Sequence, residues 1–490
     1  MTGERYKALK SIEICKRLFA RFDEIWFIGH RADLCRVLLD LGVIQKNKIR
    51  VIHTLNLLGL DIDAKSIITP DVSLLDFMSI QNTISKEVDD RIKESKLAHK
   101  RVVIVTHSPN KSLDKAISNN NASDYVTVVS PCTSYLYEIL EQKNTLNSIF
   151  KQIEPTCNIE DYLIKSTKIL ESDTFESIRE QLGGCRSLFL QQNFSAGGVG
   201  ASIVNNTKDF EEAIYRSSGY ELRASEYIEH AYSANGSALI MPTADGCRVY
   251  TDRLSHKLME ANILRAGGFC GIGNDWTIEW PTDINMQYRQ IATAVGNVLY
   301  RVYGYAGIVG LDFLVSGREY NRLKITEINP RIQGTTPYQA YNSIFLNRTP
   351  LLLAYFIMKL GSSEDKVTLL DMLDTSSVCN KSSGLFYLKI LSSSKQMKQD
   401  MNGVWQFSNT ISGIRYYDKD VNMPNLYIYG SNKDLITIRC SSKKEYMNNS
   451  PVAAAYIIGR GRNVFSKACP TMTGFGANLY STIRDEMYEK

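Results

Sequence analysis

Ile325-Thr-Glu-Ile-Asn-Pro-Arg-Ile-Gln-Gly334, preceded by Gly310-Leu-Asp-Phe-Leu-Val315, reads as two neighbouring strands that bring Asp312, Glu327 and Asn329 to one place. Residues two apart on a strand share a face, so Glu327 and Asn329 point the same way. Two carboxylates and an amide oxygen suit Mg²⁺, a hard cation bound through oxygen and shared with substrate phosphates. Arg331 follows within reach, a fixed cation for a developing anion. A solvated strand face is the plainer alternative, because polar residues alternate there too. Leu311, Phe313, Ile325 and Ile328 are apolar, however, and Asn329-Pro330 interrupts the strand where chemistry would sit. The stretch therefore reads as a site for a metal and a phosphate chain.

Upstream, Ser195-Ala-Gly-Gly-Val-Gly200 lies between two strand signals, Arg186–Gln192 and Ala201–Asn205. Glycines there let backbone N–H groups approach an anion and let a lid bend over it. Taken alone, a hairpin turn explains the loop as well, although such a turn rarely asks for three glycines. Ala224-Ser-Glu-Tyr-Ile-Glu229 ends a strand and opens a polar link. Its backbone suits a purine edge and its carboxylate suits ribose hydroxyls, while an ordinary edge strand fits it equally. His256 and the neighbouring Lys257 lie between this link and the metal strands, where a satisfied or solvent-facing histidine is the safer reading. The six histidines form no HExxH pair, and the chain has no GxSxG elbow and no Walker A sequence.

At 490 residues the chain exceeds one compact core, and its length suggests roughly three domains. It is 44% hydrophobic and 22% charged, which excludes wholesale disorder. A net charge of +5, with no block of Lys or Arg, argues against a dedicated nucleic-acid or membrane-surface binder. Ten cysteines scattered from Cys15 to Cys469 without a CxxC pair read as reduced thiols of a cytoplasmic protein. The start, Met1-Thr-Gly-Glu-Arg-Tyr-Lys, lacks a signal-peptide core. The most apolar run, Leu351 to Met358, is too short to span a bilayer.

Short β-branched runs at Glu24–Gly29, Ile49–His53, Arg101–Thr106 and Tyr125–Val129 alternate with helix-compatible sequence such as Ala32–Gly42. Buried runs separated in this way predict a parallel sheet with crossover helices. No GxGxxG follows the first strand, so a dinucleotide site is not indicated. A helical stretch at Tyr135–Gln152 leads to the boundary Glu154-Pro-Thr-Cys157. Helices are expected at Thr174–Gln181, Asp209–Ser217, Gln287–Tyr303 and Pro350–Leu360, and strands at Gly384–Ile390, Leu426–Tyr429 and Leu435–Arg439.

A glycine loop between strands, a Glu-Tyr-Ile link, then Asp…Glu-x-Asn-x-Arg is an order that resembles the ATP-grasp ligases over roughly Lys143 to Gln339. Asp312…Glu327-Ile-Asn329-Pro-Arg331-Ile-Gln333 looks most like the biotin carboxylase and carbamoyl-phosphate synthetase branch. The resemblance implies an α/β chain in three parts. These are a Rossmann-like domain preceding the grasp (1–135), an ATP-grasp domain (136–365, with its lid at 193–200 and metal strands at 308–331) and a β-rich C-terminal domain (366–490). It implies that Asp312, Glu327 and Asn329 bind Mg²⁺ (two ions, with Mn²⁺ an alternative) and that Arg331 faces the transferred phosphoryl group. Lys143, Ser195, Gly197, Gly198 and Gly200 would contact the ATP phosphates, and Glu226, Tyr227 and Ile228 would hold the adenine. Lys257 falls where the branch has a lysine near the second substrate.

Two positions depart from that pattern. The family's phosphate lysine before the glycine loop is replaced within Leu190-Gln-Gln-Asn193, so that Gln191 or Gln192 would stand in, Gln192 being counted with the nucleotide-binding residues. Thr335 occupies the place of the carboxylase branch's general-base glutamate, and no biotinyl acceptor motif is present. The activity implied is an ATP-dependent carboxylate–amine ligase that passes through an acylphosphate and releases ADP and phosphate. Its partners would be a small carboxylate and an amine, with a homodimer left open and neither nucleic acid nor membrane engaged. Arg253, Lys257 and Arg265 are candidates for gripping an acidic substrate. The rivals are a bicarbonate-phosphorylating, carboxylase-like enzyme and a nucleotide-binding module without catalysis.

Overall fold

A computed structural model describes residues 3–28, 33–54, 67–68, 86–157, 159–195, 198, 200–259, 269, 271–316, 321–373, 384–391, 403–407, 414–418, 435–440 and 453–461. Near the N-terminus, β1 (Glu24–Ile28), β2 (Ile49–Thr54), β3 (Ile67–Ile68), β4 (Val102–Thr106) and β5 (Val126–Val129) form a parallel sheet in the order β3-β2-β1-β4-β5. Ile25 pairs with both Ile49 and Val103, and every residue of β4 is buried. Burial on both faces is why these runs are continuously apolar instead of alternating. The four strands expected from sequence are all present, and the two-residue β3 is an addition.

One face of this sheet packs on the helices Gly3–Ala20 and Leu351–Leu360, which meet through Phe19 and Phe356 with ring centroids 5.2 Å apart. Leu351 to Met358 are all buried there, so the most apolar run of the chain is an internal helix. Among the described residues no helix is long and apolar enough to cross a membrane.

A second, antiparallel sheet contains β6 (Ser166–Lys168), β7 (Leu188–Gln192), β8 (Ser202–Val204) and β9 (Leu222–Glu226), in the order β6-β9-β7-β8. Helices Phe175–Gln181 and Thr207–Arg216 cover one face, and Phe175, Ile178, Phe210 and Ala213 pack on Leu188, Leu190, Val204 and Ala224. Thr174 caps the first helix in a reciprocal box with Ser177, and Asn206 caps the second. By alternation Phe189, Gln191, Arg223 and Ser225 belong to the opposite face, where Arg223 and Ser225 are buried.

The third sheet is built from β10 (Tyr232–Thr243), β11 (Gly246–Thr251), β12 (Ser255–Met259), β13 (Gly271–Asp275), β14 (Ile308–Ser316) and β15 (Arg322–Asn329). The later strands β16 (Gly384–Leu391), β17 (Gly403–Phe407), β18 (Ile414–Asp418), β19 (Leu435–Cys440) and β20 (Ala453–Gly461) extend it. The order is β15-β14-β10-β12-β13-β16-β20-β19-β17-β18, with β11 on β10, and β16 joins through Gly273↔Leu388. The strand expected at Leu426–Tyr429 lies outside the described residues. Helix Thr282–Tyr303 lies on one face, where Ile284, Tyr288, Ile291, Val295 and Leu299 meet Leu311, Phe313, Ile325 and Ile328. Gly304, at φ +66, ends the helix in the left-handed conformation that glycine adopts without strain. The mixed α/β class read from the sequence is the one observed.

Candidate active site

Strands β14 and β15 set the site. Asp312 pairs with Glu327 and Gly310 with Asn329, but Phe313 pairs with Ile325, which leaves Thr326 as a bulge. The extra residue shifts the alternation, so Ile325 and Ile328, three apart, both enter the helix-covered core. Glu327 and Asn329 are thereby turned to the other face, opposite Asp312. Two hydrogen bonds hold the bulge: Thr326 Oγ1 donates to the Asp312 carbonyl at 3.1 Å, and Arg223 Nη1 donates to the Thr326 carbonyl at 2.9 Å. The sequence reading placed Glu327 and Asn329 together by simple alternation and missed the bulge. Its signal was present, because apolar residues at Leu323, Ile325 and Ile328 break a period of two.

Around these donors the fold gathers charge in pairs. Lys257 Nζ donates to Asp312 Oδ2 at 3.2 Å, and Lys143 Nζ stands 3.7 Å from Glu327 Oε1. Arg331 Nη2 donates to Asn329 Oδ1 at 2.9 Å, while its Nε donates to Glu141 Oε1 at 2.9 Å. Asn235 on β10 donates to Asp312 Oδ1 at 2.5 Å and to Gln333 Oε1 at 3.1 Å. Gln333 lies across Gly310, where any Cβ would collide with its amide. Asp312, Glu327 and Glu141 thus face Lys143, Lys257 and Arg331, with Arg223 as a further buried cation.

The electrostatics follow from burial and neighbours. Desolvation works against the Lys257 ammonium, yet Asp312 and Glu327 outweigh it and hold its pKa above the usual lysine value. Burial likewise opposes the Arg331 charge, but Glu141 outweighs it and the guanidinium stays firmly protonated. Burial pushes the Glu141 carboxyl up, and Arg331 only partly offsets this. Arg223, enclosed without a hydrogen-bonded carboxylate, is pushed down to about 10 by burial, with Glu327 in partial opposition.

The second sheet supplies the opposite wall. Arg223 and Gln191 are register partners on the face away from its helices, and Phe189 on that face meets Phe269 with ring centroids 5.0 Å apart. Gln192 falls by alternation on the helix-covered side, and its amide abuts Gly200. Of the two glutamines, Gln191 therefore shares a face with Arg223. Ser195 lies at the root of the glycine loop, where its carbonyl accepts from Lys143 Nζ at 2.7 Å and its Oγ donates to the Gln192 carbonyl at 3.2 Å. Gly198 and Gly200 have φ of +80 and +71, a region that favours glycine, and Gly198 lies tight against the Phe269 carbonyl. Gly197 lies outside the described residues.

Glu226 closes β9, where its carboxylate accepts from the Lys165 backbone N–H at 3.2 Å and sits 3.5 Å from Lys324 Nζ. Tyr227 N–H donates to the Ser187 carbonyl at 3.0 Å, and Tyr227 and Ile228 are half-buried. Arg253 donates to the Ile278 carbonyl at 2.7 Å, and Arg265 lies outside the described residues. His256 points away from the site. Alternation along β12 sends Lys257 to Asp312 and His256 into the core between Tyr232 and Trp280, where neither ring nitrogen has a hydrogen bond among the described residues. Thr335 Oγ1 donates to Asn235 Oδ1 at 3.1 Å. Sequence reasoning missed Glu141, Asn235 and Arg223, which come from three distant segments with no motif of their own.

The donor set suits a hard cation. Two carboxylates and an amide oxygen lie on adjacent strands. That composition fits Mg²⁺ delivered with phosphate oxygens. The buried Asn329 Nδ2 has no hydrogen-bond partner among the described residues.

Comparison with solved structures shows which architecture this is. The biotin carboxylase domain of Hydrogenobacter thermophilus 2-oxoglutarate carboxylase, a dimer with MgADP, ADP and bicarbonate, matches 91% of this chain and 87% of its own, with a TM-score of 0.56 at 13% identity. The chain has the ATP-grasp fold. The N5-carboxyaminoimidazole synthase of Aspergillus clavatus, in complex with ADP and 5-aminoimidazole ribonucleotide, covers 95% of this chain and 98% of its own, with a TM-score of 0.52 at 10% identity. Campylobacter jejuni biotin carboxylase covers 90% and 87%, with a TM-score of 0.53 at 12% identity. No protein-family model and no curated protein sequence matches the chain.

Proposed function

We propose that this ATP-grasp chain is an ATP-dependent carboxylate–amine ligase working through an acylphosphate. The observation that carries the reading is the β14–β15 register, which sets Asp312 against Glu327 with Asn329 beside them, inside a ring of Lys143, Lys257 and Arg331. Asp312, Glu327 and Asn329 would hold Mg²⁺, one or two ions, which neutralises phosphate charge when bound. Lys143 orients the phosphate chain and ties it to the Ser195 carbonyl, so the glycine loop closes on the same group that touches the nucleotide. Glu226 to Ile228 edge the cleft where an adenine and its ribose would lie. Arg331 stabilises the charge that spreads over the transferred phosphoryl group as the acid's oxygen attacks. Lys257 holds the acid near Asp312, and the closed loop keeps water from the mixed anhydride until an amine attacks. The scattered cysteines support a reducing, cytoplasmic setting.

A second reading takes bicarbonate as the acid, since the Hydrogenobacter domain binds it. Thr335 speaks against it, because a hydroxyl committed to Asn235 offers no base where that branch has a carboxylate. The deciding experiment is an ADP- and phosphate-release screen with Mg²⁺·ATP over amino acids and simple carboxylates in acid–amine pairs, with bicarbonate alone as a separate arm. Release that requires particular pairs supports the ligase. Release on bicarbonate alone transfers the chain to the carboxylase reading, and binding of Mg²⁺·ATP without release by any acceptor favours a non-catalytic module.

A further inference from the structure

We propose that Glu141 is a positioning residue for phosphoryl transfer, one that fixes the guanidinium of Arg331 in its working orientation. The inference rests on the reading of the site given above. Glu141 caps the helix Ser134–Leu140, 190 residues before Arg331, and its side chain is 2% exposed. It receives Nε of Arg331, the inner nitrogen of the guanidinium, at 2.9 Å. That contact leaves the outer nitrogens directed at the metal-strand edge, where Nη2 reaches Asn329 Oδ1 at 2.9 Å. An arginine held at Nε and Nη2 by separate acceptors has its plane determined, which a single contact cannot do.

Fold stability does not account for a carboxylate here. Glu141 Oε2 is buried and has no hydrogen-bond partner among the described residues. A buried ion pair with an unused acceptor is a poor substitute for packed hydrocarbon. What the carboxylate does supply is orientation. The same short turn also carries Lys143 to Glu327 and to the Ser195 carbonyl, so one segment aims both a lysine and an arginine at the transfer zone. Because Glu141 sits behind Arg331, it works through that residue.

The test compares Glu141→Gln, Arg331→Met, the double variant and Arg331→Lys. Affinities are measured by calorimetry for Mg²⁺·ADP and for Mg²⁺·ADP with aluminium fluoride, a mimic of the transferred phosphoryl group, in the full chain. E141Q is expected to bind Mg²⁺·ADP within about twofold of wild type and the aluminium fluoride complex at least tenfold more weakly. The double variant should lose no more than R331M, and R331K should lose as much as E141Q, because a lysine keeps the charge without the oriented plane. The proposal is overturned if E141Q keeps wild-type affinity for the mimic, if its loss adds in full to that of R331M, or if R331K matches wild type. Should E141Q fail to fold, Glu141→Asp takes its place: its shorter carboxylate draws back from Nε of Arg331, so wild-type affinity for the mimic in that variant overturns the proposal and an intermediate loss supports it. Failure of wild type to bind Mg²⁺·ADP at all is a different result, which removes the functional reading and this inference with it.

Discussion

Lowering the pH from 7 to 5 should weaken this fold through His256, whose ring turns into the core while its neighbour Lys257 reaches Asp312. Its ring is fully buried, makes T-shaped contacts with Tyr232 and Trp280, and has no hydrogen bond among the described residues. Burial pushes its pKa down to about 4 from the ordinary 6.5. The unfolded chain therefore takes up a proton below pH 6.5 that the native state refuses until about pH 4. Stability is complete above that window and is lost as pH falls through it, at about 1.4 kcal/mol per pH unit in the steepest part. Between pH 7 and 5 the loss is about 2 kcal/mol, and over the whole window it is about 3 kcal/mol. The assay is urea unfolding of wild type and His256→Leu at pH 7, 6 and 5, read as the difference between the two proteins. Leucine keeps the site apolar and removes the proton, so the wild type should lose about 2 kcal/mol more than the variant over this range. Equal pH slopes would show that His256 finds a partner for its ring nitrogens, and the account of β12 would be wrong.

The remaining tests address the site and the core. Glu327→Gln and Asp312→Asn should each cut turnover on the order of 100-fold or more while leaving the unfolding midpoint nearly unchanged, because each removes a hard oxygen donor without changing volume. Wild-type rates in either variant would displace the metal assignment. Gln191→Lys should tighten binding of a Mg²⁺·ATP analogue roughly tenfold by restoring a charge on the face of β7 away from the helices. Gln192→Lys places its charge on the helix-covered side and should lower stability instead, so the opposite pattern would reverse the face assignment. Phe356→Ala should cost roughly 3–5 kcal/mol by equilibrium unfolding, since it empties the joint between the helices Gly3–Ala20 and Leu351–Leu360. A cost below about 1 kcal/mol would mean that the two helices do not pack as described.

Local order in the chain was enough for much of this protein. The continuously apolar strands of the first sheet, the Thr174–Gln181 helix, and the common face of Glu327 and Asn329 all depend on neighbours within a few residues, and periodicity exposes such neighbours directly. The Asp…Glu-x-Asn-x-Arg order pointed to an ATP-grasp architecture, and the fold agrees. Tertiary structure decided everything that required distant segments to meet. It turned Gln191 instead of Gln192 toward Arg223, because the helices Phe175–Gln181 and Thr207–Arg216 claim the other face of β7. It joined β16 to the strands of the site, and it sent His256 inward while Lys257 reached Asp312. It brought Glu141 to Arg331 and Asn235 to Asp312. A single chain order carries no sign of such meetings, since the attraction between a buried carboxylate and a guanidinium depends on their separation in space and not along the backbone.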